Sequence, residues 1–342
     1  MILKLLDKSS LPSLLTSLLS YGELCAPVRH NGGYRFEVVD SPSEVACEYR
    51  TTMLSPKKFL LPPKETMFSF TKGPEMRLEP VTEARPRVIF GVHPCDLNAM
   101  WMLDAAMTDD PADGLYLARR EQTFIVGLDC NEPCDQYAFC RSMGTHVAET
   151  GFDLMLTDLG DEYLVQAETP IGQATLTRWG QAREVRYEHR VRWREVQRRK
   201  EQEWPQPLDM DVEMLPRLLE DSYDSLLWDV LGDRCLGCGS CTMVCPTCYC
   251  FDVFDRLDLS LSQGERQRQW DSCQLRDFAL VASGENFREK RSARNRHRFF
   301  RKGKWLKEKY GRFACVGCGR CARACLAKIN PIEVYNQLRG GA

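Results

Sequence analysis

Two cysteine runs with the same spacing constrain this chain more than any other feature of its sequence. Each run has the form C-x2-C-x2-C-x3-C, once over residues 235–245 and again over residues 315–325. Bacterial-type ferredoxins use this spacing, in which each 4Fe-4S cluster binds three cysteines of one run and the fourth cysteine of the other. The sequence therefore predicts two clusters with exchanged fourth ligands: Cys235, Cys238, Cys241 and Cys325 for cluster 1, and Cys315, Cys318, Cys321 and Cys245 for cluster 2.

The residues between these cysteines support the interpretation. Gly237, Gly239, Gly317 and Gly319 let the backbone approach a cluster and direct N–H groups toward it. The fourth cysteine of each run is expected to open a helix and to reach the other cluster. A pair of structural zinc sites is the alternative, but zinc favours Cys-x2-Cys pairs over triplets. Leu326 stands where the pattern often has proline, a position that is not a ligand.

A second group of four cysteines lies in the first half of the chain. Apolar strands are predicted over residues 88–92 and 124–128, with an amphipathic helix between them. This order predicts a parallel α/β unit whose strands end at one edge of a sheet. Cysteines at that edge are expected to hold a third 4Fe-4S cluster: Cys95, Cys130, Cys134 and Cys140. Buried free thiols or a zinc site are the alternatives, and His93 and His146 are expected to be structural.

Five cysteines fall outside these three sets. Cys248, Cys250 and Cys273 are expected to line the pocket of cluster 1 and to shape its hydrogen bonding, with ligation of a further centre as the alternative. Cys25 and Cys47 are expected to be ordinary buried residues.

The charge of the chain is nearly balanced, with 46 Lys and Arg against 48 Asp and Glu. This balance argues against nucleic-acid binding by the whole molecule. The segment 264–312 is the exception, with 15 Lys and Arg against 6 Asp and Glu. Burying an anionic 4Fe-4S cluster requires nearby cations, so cluster compensation or docking of an acidic partner explains this segment better than RNA binding does.

Other features narrow the class of protein. The chain has 17 cysteines, no recognisable export signal and no apolar run that approaches the length of a membrane span. These features predict metal-sulfur chemistry in the cytoplasm. No G-x-G-x-x-G follows a strand and no P-loop is present, so no flavin or nucleotide site of its own is predicted. The chain is therefore expected to carry electrons and to leave substrate chemistry to other subunits.

The chain resembles the iron-sulfur β-subunits of cytoplasmic sulfhydrogenase-type NiFe hydrogenases and the related A subunit of anaerobic sulfite reductase. The resemblance covers roughly residues 50–330, and family members often carry Cys-x-Cys where this chain has Ala138, Phe139 and Cys140. The matching stretches are SPKKFLLPPKE (55–65), GVHPCDLNAM (91–100), YLARRE (116–121), DCNEPCDQYAFCRSMGTH (129–146), CLGCGSCTMVCPTCYCFDVFD (235–255), RQRQWDSC (266–273) and CVGCGRC (315–321).

This resemblance implies an electron-transfer subunit of a multisubunit cytoplasmic oxidoreductase. Such a subunit would relay single electrons through 4Fe-4S clusters between a flavoprotein subunit, which is FAD-containing and NAD(P)-linked, and the NiFe hydrogenase subunits. The first alternative is the iron-sulfur subunit of a sulfite reductase with a sirohaem subunit, or of a heterodisulfide-reductase-type complex. The second is a regulatory or nucleic-acid-binding iron-sulfur protein.

Two domains are expected from these patterns. Residues 1–205 are expected to form an α/β or α+β domain that carries the third cluster and docks partners. Residues 206–342 predict a mostly helical two-cluster ferredoxin domain with a long basic insertion. The spacer between the cysteine runs, residues 246–314, is expected to form mostly helix and loop.

Overall fold

The computed structural model describes residues 2–73 and 75–341. Its strands are β1 Ile2–Asp7, β2 Glu23–His30, β3 Gly33–Val39, β4 Lys64–Thr71, β5 Arg77–Pro80, β6 Arg87–Val92, β7 Thr123–Leu128, β8 Leu154–Asp158, β9 Glu162–Ala167, β10 Arg183–Glu184, β11 Phe251–Leu257 and β12 Gln263–Trp270.

The α-helices are α1 Leu11–Leu19, α2 Pro94–Met107, α3 Gly114–Glu121, α4 Pro170–Trp179, α5 Tyr187–Glu203, α6 Leu215–Asp221, α7 Leu227–Arg234, α8 Ser240–Met243, α9 Arg291–Phe300, α10 Leu306–Tyr310, α11 Arg320–Ala324 and α12 Pro331–Arg339. A π-helix at Arg301–Trp305 joins α9 to α10. Short 3-10 turns lie at Lys8–Ser10, Pro42–Glu44, Pro56–Phe59, Val212–Met214 and Asp277–Ala279. Among the described residues, no helix combines the length and the apolar character needed to cross a membrane.

The larger sheet is the scaffold of the first half of the chain. Within the described residues its strand order is β10-β1-β9-β8-β7-β6-β2-β3, and β2, β6, β7 and β8 run parallel. β6 and β7 are apolar and buried along nearly their whole length, as parallel strands covered on both faces should be. Because α2 and α3 connect these two strands, the predicted parallel α/β unit is confirmed. The carboxyl ends of both strands face the same edge, where α2 and the loop after β7 begin.

A smaller sheet joins the two halves of the chain. Its strand order is β11-β12-β4-β5 and its pairs are antiparallel. β12 pairs with β4 from Gln263 opposite Thr71 to Gln269 opposite Lys64. The buried carboxylate of Glu65 on β4 also accepts a hydrogen bond from Arg268 on β12, at 2.6 Å. These contacts attach the segment between the cysteine runs to the first half of the chain.

The expectation of a mostly helical second half is not confirmed, because the hairpin of β11 and β12 occupies residues 251–270 of the spacer. β11 alternates apolar and charged residues, as in Phe251-Asp252-Val253, and is mostly exposed at the sheet edge, whereas β12 is almost wholly polar. Such strands lack the buried apolar run by which β6 and β7 are recognised in the sequence. The division at residues 205 and 206 remains a prediction.

The helices of the second half pack on a second core, to which Phe139 and Met143 of the first half also contribute. The ring of Phe299 on α9 lies 5.8 Å from that of Trp228 on α7 and 5.5 Å from that of Tyr335 on α12, measured between centroids. α8 and α11, the short helices of the two cysteine runs, pack against each other. This packing brings the two runs side by side.

Candidate iron-sulfur centres

Both cysteine runs follow the same backbone path. Gly237 and Gly239 have φ of 65° and 76°, and Gly317 and Gly319 have φ of 60° and 70°. These left-handed values are accessible to glycine without a steric penalty. Each second glycine caps a short helix, α8 or α11, that contains the third cysteine of its run. The loop therefore curls so that its first three cysteines converge.

The expectation that the fourth cysteine opens a helix is wrong. Cys245 follows the end of α8, and Cys325 is the residue that ends α11. In each run the short helix lies between the second glycine and the fourth cysteine. The three residues that separate the third and fourth cysteines provide most of one helical turn. The fourth cysteine thus leaves its own loop on the side facing the other run.

Backbone N–H groups point at cysteine sulfurs in both runs. The N–H of Gly237 donates to the sulfur of Cys235, with N and Sγ 3.3 Å apart. The N–H of Ile329 donates to the sulfur of Cys325 at the same distance, 3.3 Å. Hydrogen bonds of this kind stabilise negative charge on a thiolate ligand.

The eight cysteines of the two runs divide between two cavities. One cavity, called site 1, is lined by Cys235, Cys238, Cys241 and Cys325. A second cavity, called site 2, is lined by Cys245, Cys315, Cys318 and Cys321. The structure thus brings together the two sets predicted from the spacing, including the exchanged fourth cysteines. Four convergent cysteine sulfurs are the donor set that a 4Fe-4S cluster requires.

The two sites differ in depth. Leu236 and Leu326, which line site 1, are 60% and 75% exposed. Ala314 and Val316, on either side of Cys315 in site 2, are 0% and 3% exposed. Site 1 therefore lies at the surface and site 2 in the interior. Burial raises the pKa of the Cys315 thiol to about 12, so this sulfur carries a negative charge only when a cation or iron stabilises it.

The four cysteines of the first half also converge, in a group called site 3: Cys95, Cys130, Cys134 and Cys140. Cys95 lies in the first turn of α2, and the other three lie in the loop after β7. Cys95 and Cys140 pack together in one buried cluster, with Cys130 against it. Burial is the largest effect on the pKa of Cys130 and raises it well above its usual range, and the neighbouring sulfur of Cys134 adds to this shift.

Charged residues of α5 reach site 3. Buried Lys200 forms an ion pair with Asp129, the residue before Cys130. Trp204, just after α5, packs in the same buried cluster as Cys95. The sequence of α5 is so rich in charge that it suggests a solvated linker, and only the fold reveals the buried face with Lys200.

Both histidines of this region have structural contacts. The ring of His93 stacks on Tyr49, with centroids 4.2 Å apart and planes inclined by 10°. Burial lowers the pKa of His93 to about 4, so its imidazole is neutral. Nε2 of His146 lies 2.9 Å from a carboxylate oxygen of Glu201 on α5.

Of the remaining cysteines, Cys248 adjoins Cys245 of site 2 and Cys273 adjoins Cys241 of site 1, whereas Cys25 and Cys47 pack in the core of the larger sheet. Cys250 and Cys273 meet at the open end of the β11–β12 hairpin, where the Asp271 N–H donates to the Cys250 carbonyl at 2.9 Å. Cys273 and Cys25 are buried, whereas Cys47 and Cys248 are half-buried. No group of three or more His, Cys, Asp and Glu among the described residues is arranged to hold a single metal ion.

Buried cations lie beside sites 1 and 2, among them Lys57, Lys302 and Arg298. Lys57 donates to the carbonyls of Cys245 and Cys248, at 2.8 and 2.7 Å. Lys302 lines site 2 and donates to the Thr247 hydroxyl at 2.6 Å. Arg298 lines both cavities. The only signal for them was the positive charge of segment 264–312, which supplies Arg298 and Lys302.

Residues 234–329 match the family model described as a 4Fe-4S dicluster domain. The chain is 36% identical over 333 residues to sulfhydrogenase 2 subunit beta of Pyrococcus furiosus, covering 96% of each protein. The chain belongs to the sulfhydrogenase β-subunit family. No solved structure matches it.

Membership of the sulfhydrogenase β-subunit family confirms the resemblance seen in the sequence. The dicluster match begins one residue before Cys235 and ends at Ile329, so it contains both cysteine runs and the hairpin between them. This sulfhydrogenase β-type chain is an iron-sulfur protein of the electron-transfer class.

Proposed function

We propose that the chain relays single electrons between a flavin-containing, NAD(P)-linked subunit and a NiFe hydrogenase module of one cytoplasmic complex. The observation that carries this proposal is the division of eight cysteines between two adjoining cavities, four to each. A 4Fe-4S cluster bound at each site would supply a one-electron carrier. The cysteines of sites 1, 2 and 3 would hold these clusters.

The neighbouring residues suit this role. The N–H groups of Gly237 and Ile329 are already directed at cysteine sulfurs. Lys57, Arg298 and Lys302 supply buried positive charge beside other cysteines of the two runs, and Cys245 is a neighbour of all three. In the described part of the chain none of these three cations forms an ion pair with a carboxylate, so their charge remains for an anionic ligand.

The three sites are neighbours, with site 2 between the others. Cys321 of site 2 is an electrostatic neighbour of Cys241 in site 1. Cys318 of site 2 packs against the buried cluster that contains Cys95 and Cys140 of site 3. We infer a row of three carriers, with surface-exposed site 1 at one end. The exposed Leu236 and Leu326 would meet a partner subunit there.

The choice of partners rests on the family. The relative is named as a sulfhydrogenase subunit, and this chain has no dinucleotide-binding motif of its own. A separate flavoprotein would therefore exchange electrons with NAD(P). The burial of Arg298 and Lys302 favours cluster compensation over RNA binding for this part of the basic segment.

Iron and acid-labile sulfide per chain, measured on anaerobically purified full-length protein, test the proposal. Three clusters require about twelve of each, from four iron atoms per cluster. Cys134→Ser is expected to remove about four iron atoms, and Cys241→Ser the same number from site 1. Cys47→Ser is the control and should remove none. A value of about eight iron atoms per wild-type chain would mean that site 3 holds no cluster and takes no part in electron transfer.

Partner identity needs a second experiment, in which a tagged chain is purified anaerobically from its native cells. Recovery of a flavoprotein with nickel- and iron-containing subunits is the expected result. Recovery of a sirohaem protein instead would contradict the hydrogenase assignment and establish the sulfite reductase alternative.

A further inference from the structure

One side chain is shared by the two cavities of the second half. Among the described residues, Arg298 alone lines both site 1 and site 2. It lies on α9, in the helical core that carries the neighbouring Phe299. Its side chain therefore lies where the two sets of four cysteines come closest.

Arg298 lacks the carboxylate partner that two other buried arginines of this chain have. Arg320 is 1% exposed and pairs with Asp96, and buried Arg119 pairs with Glu65. Arg298 is 7% exposed, forms no ion pair within the described residues, and its Nε has no hydrogen-bond partner there. A buried guanidinium without an anion is costly, so the negative charge must come from the cavities it lines.

The sulfurs around Arg298 supply that charge. A guanidinium keeps its proton in proteins, so its charge is fixed, and the sulfurs that act on it most strongly are those of Cys241, Cys321 and Cys245. Cys241 belongs to site 1, and the other two belong to site 2. The fixed positive charge of the guanidinium therefore adjoins cysteines of both sites.

We propose that Arg298 is a cation shared by sites 1 and 2, and that its charge raises the reduction potentials of the clusters at both sites. This inference rests on the proposed function, since it requires clusters at both sites. Reduction adds one negative charge to a cluster, and a nearby fixed cation stabilises the reduced form. One cation between two clusters therefore acts on both potentials, and it lessens the repulsion between two reduced clusters.

Lys302 provides an internal comparison, because it lines site 2 alone. Its ammonium group bonds to Thr247, between Cys245 and Cys248. Loss of the Lys302 charge should therefore act mainly on one potential, whereas loss of the Arg298 charge should act on two.

The test is a redox titration followed by electron paramagnetic resonance on the anaerobic full-length protein, with iron content measured on each sample. Arg298→Gln is expected to lower the reduction potentials of two clusters. Lys302→Gln is expected to lower the potential of only one of these two clusters. Arg298→Lys keeps the positive charge, so both potentials are expected to stay close to the wild-type values. Arg296→Gln is the matched control on the same helix, since Arg296 instead bonds to the carbonyl of Tyr223 and should leave every potential unchanged.

The outcomes separate this inference from the proposed function. Wild-type protein without iron would refute the proposed function itself. Full iron content with unchanged potentials in Arg298→Gln would overturn only the role of Arg298. Loss of iron from both Arg298→Gln and Arg298→Lys would also overturn it, because the site would then depend on the shape of the side chain and not on its charge.

Discussion

Arg320 and Asp96 form a bidentate ion pair in the interior of the protein. The two nitrogen-to-oxygen distances are 2.6 and 2.7 Å, and both side chains are 1% exposed. Arg320 follows Gly319 in the second cysteine run, and Asp96 follows Cys95 in the first turn of α2. The pair therefore ties site 2 to site 3 and fixes how the two halves of the chain meet.

Removing one partner of this pair should destabilise the protein strongly. Asp96→Ala leaves Arg320 charged and buried, which typically costs about 3–5 kcal/mol of unfolding free energy. Asp221→Ala is the control, because its pair with Arg217 is exposed and worth about 1 kcal/mol or less. Urea unfolding followed by circular dichroism under anaerobic conditions measures both. Equal effects of the two substitutions would mean that the buried pair does not hold the halves together.

A methyl group at Gly317 should disturb the contact between sites 2 and 3. A Cβ there would lie 2.6 Å from the backbone N of Cys140 and 2.6 Å from the backbone O of Phe139. Gly311→Ala is the matched control, since Gly311 also has positive φ but has nothing within 4 Å of such a Cβ. The control should cost about 1–2 kcal/mol from backbone strain alone. Gly317→Ala should lower the free energy of unfolding by more than this and should also lose iron. Thermal unfolding and iron analysis measure these two effects. An equal loss of stability in the two variants would mean that the backbone at Phe139 and Cys140 can move to accept the methyl group.

Neighbouring cysteines should differ in their effect on iron content. Cys245 lines site 2, so Cys245→Ala is expected to remove about four iron atoms per chain. Cys248→Ala, three residues away, should remove none, and neither should Cys250→Ala or Cys273→Ala. Iron and sulfide analysis of anaerobically purified variants decides the matter. Loss of iron from all three of the latter variants would point to a further cluster beside site 2.

Protonation of His297 should weaken the fold at mildly acidic pH. Burial, assisted by Arg288 and Arg301, lowers the pKa of His297 to about 4. The unfolded chain therefore binds this proton at a higher pH than the folded chain, so stability falls as pH decreases from about 6.5 toward 4. Partial exposure of the ring keeps the slope below the limit of about 1.4 kcal/mol per pH unit for one proton.

Urea midpoints between pH 5 and pH 7 measure this dependence. His297→Asn should flatten the pH profile, even if loss of packing against Trp305 lowers stability at every pH. An unaltered slope in His297→Asn would assign the pH dependence to other groups.

Some of these features could be predicted because they depend on short stretches of sequence. The spacing of the two runs predicted which cysteines share a cavity, and the apolar runs at 88–92 and 124–128 predicted the parallel strands. The ligand sets themselves remain predictions. The hairpin at 251–270 escaped prediction because its exposed strands carry little apolar signal.

The sequence by itself determined the local geometry of the sites. Cysteines at steps of three residues, with glycines at the positions of positive φ, curl a loop around a cluster wherever the loop lies in the fold. The tertiary structure alone decided which loops adjoin and which cations serve them. Arg298, Lys302 and Lys200 look like surface residues in the sequence, because the burial of a charge depends on packing between segments far apart in the chain. The same long-range packing sets Arg320 against Asp96, a contact that no spacing within either motif encodes.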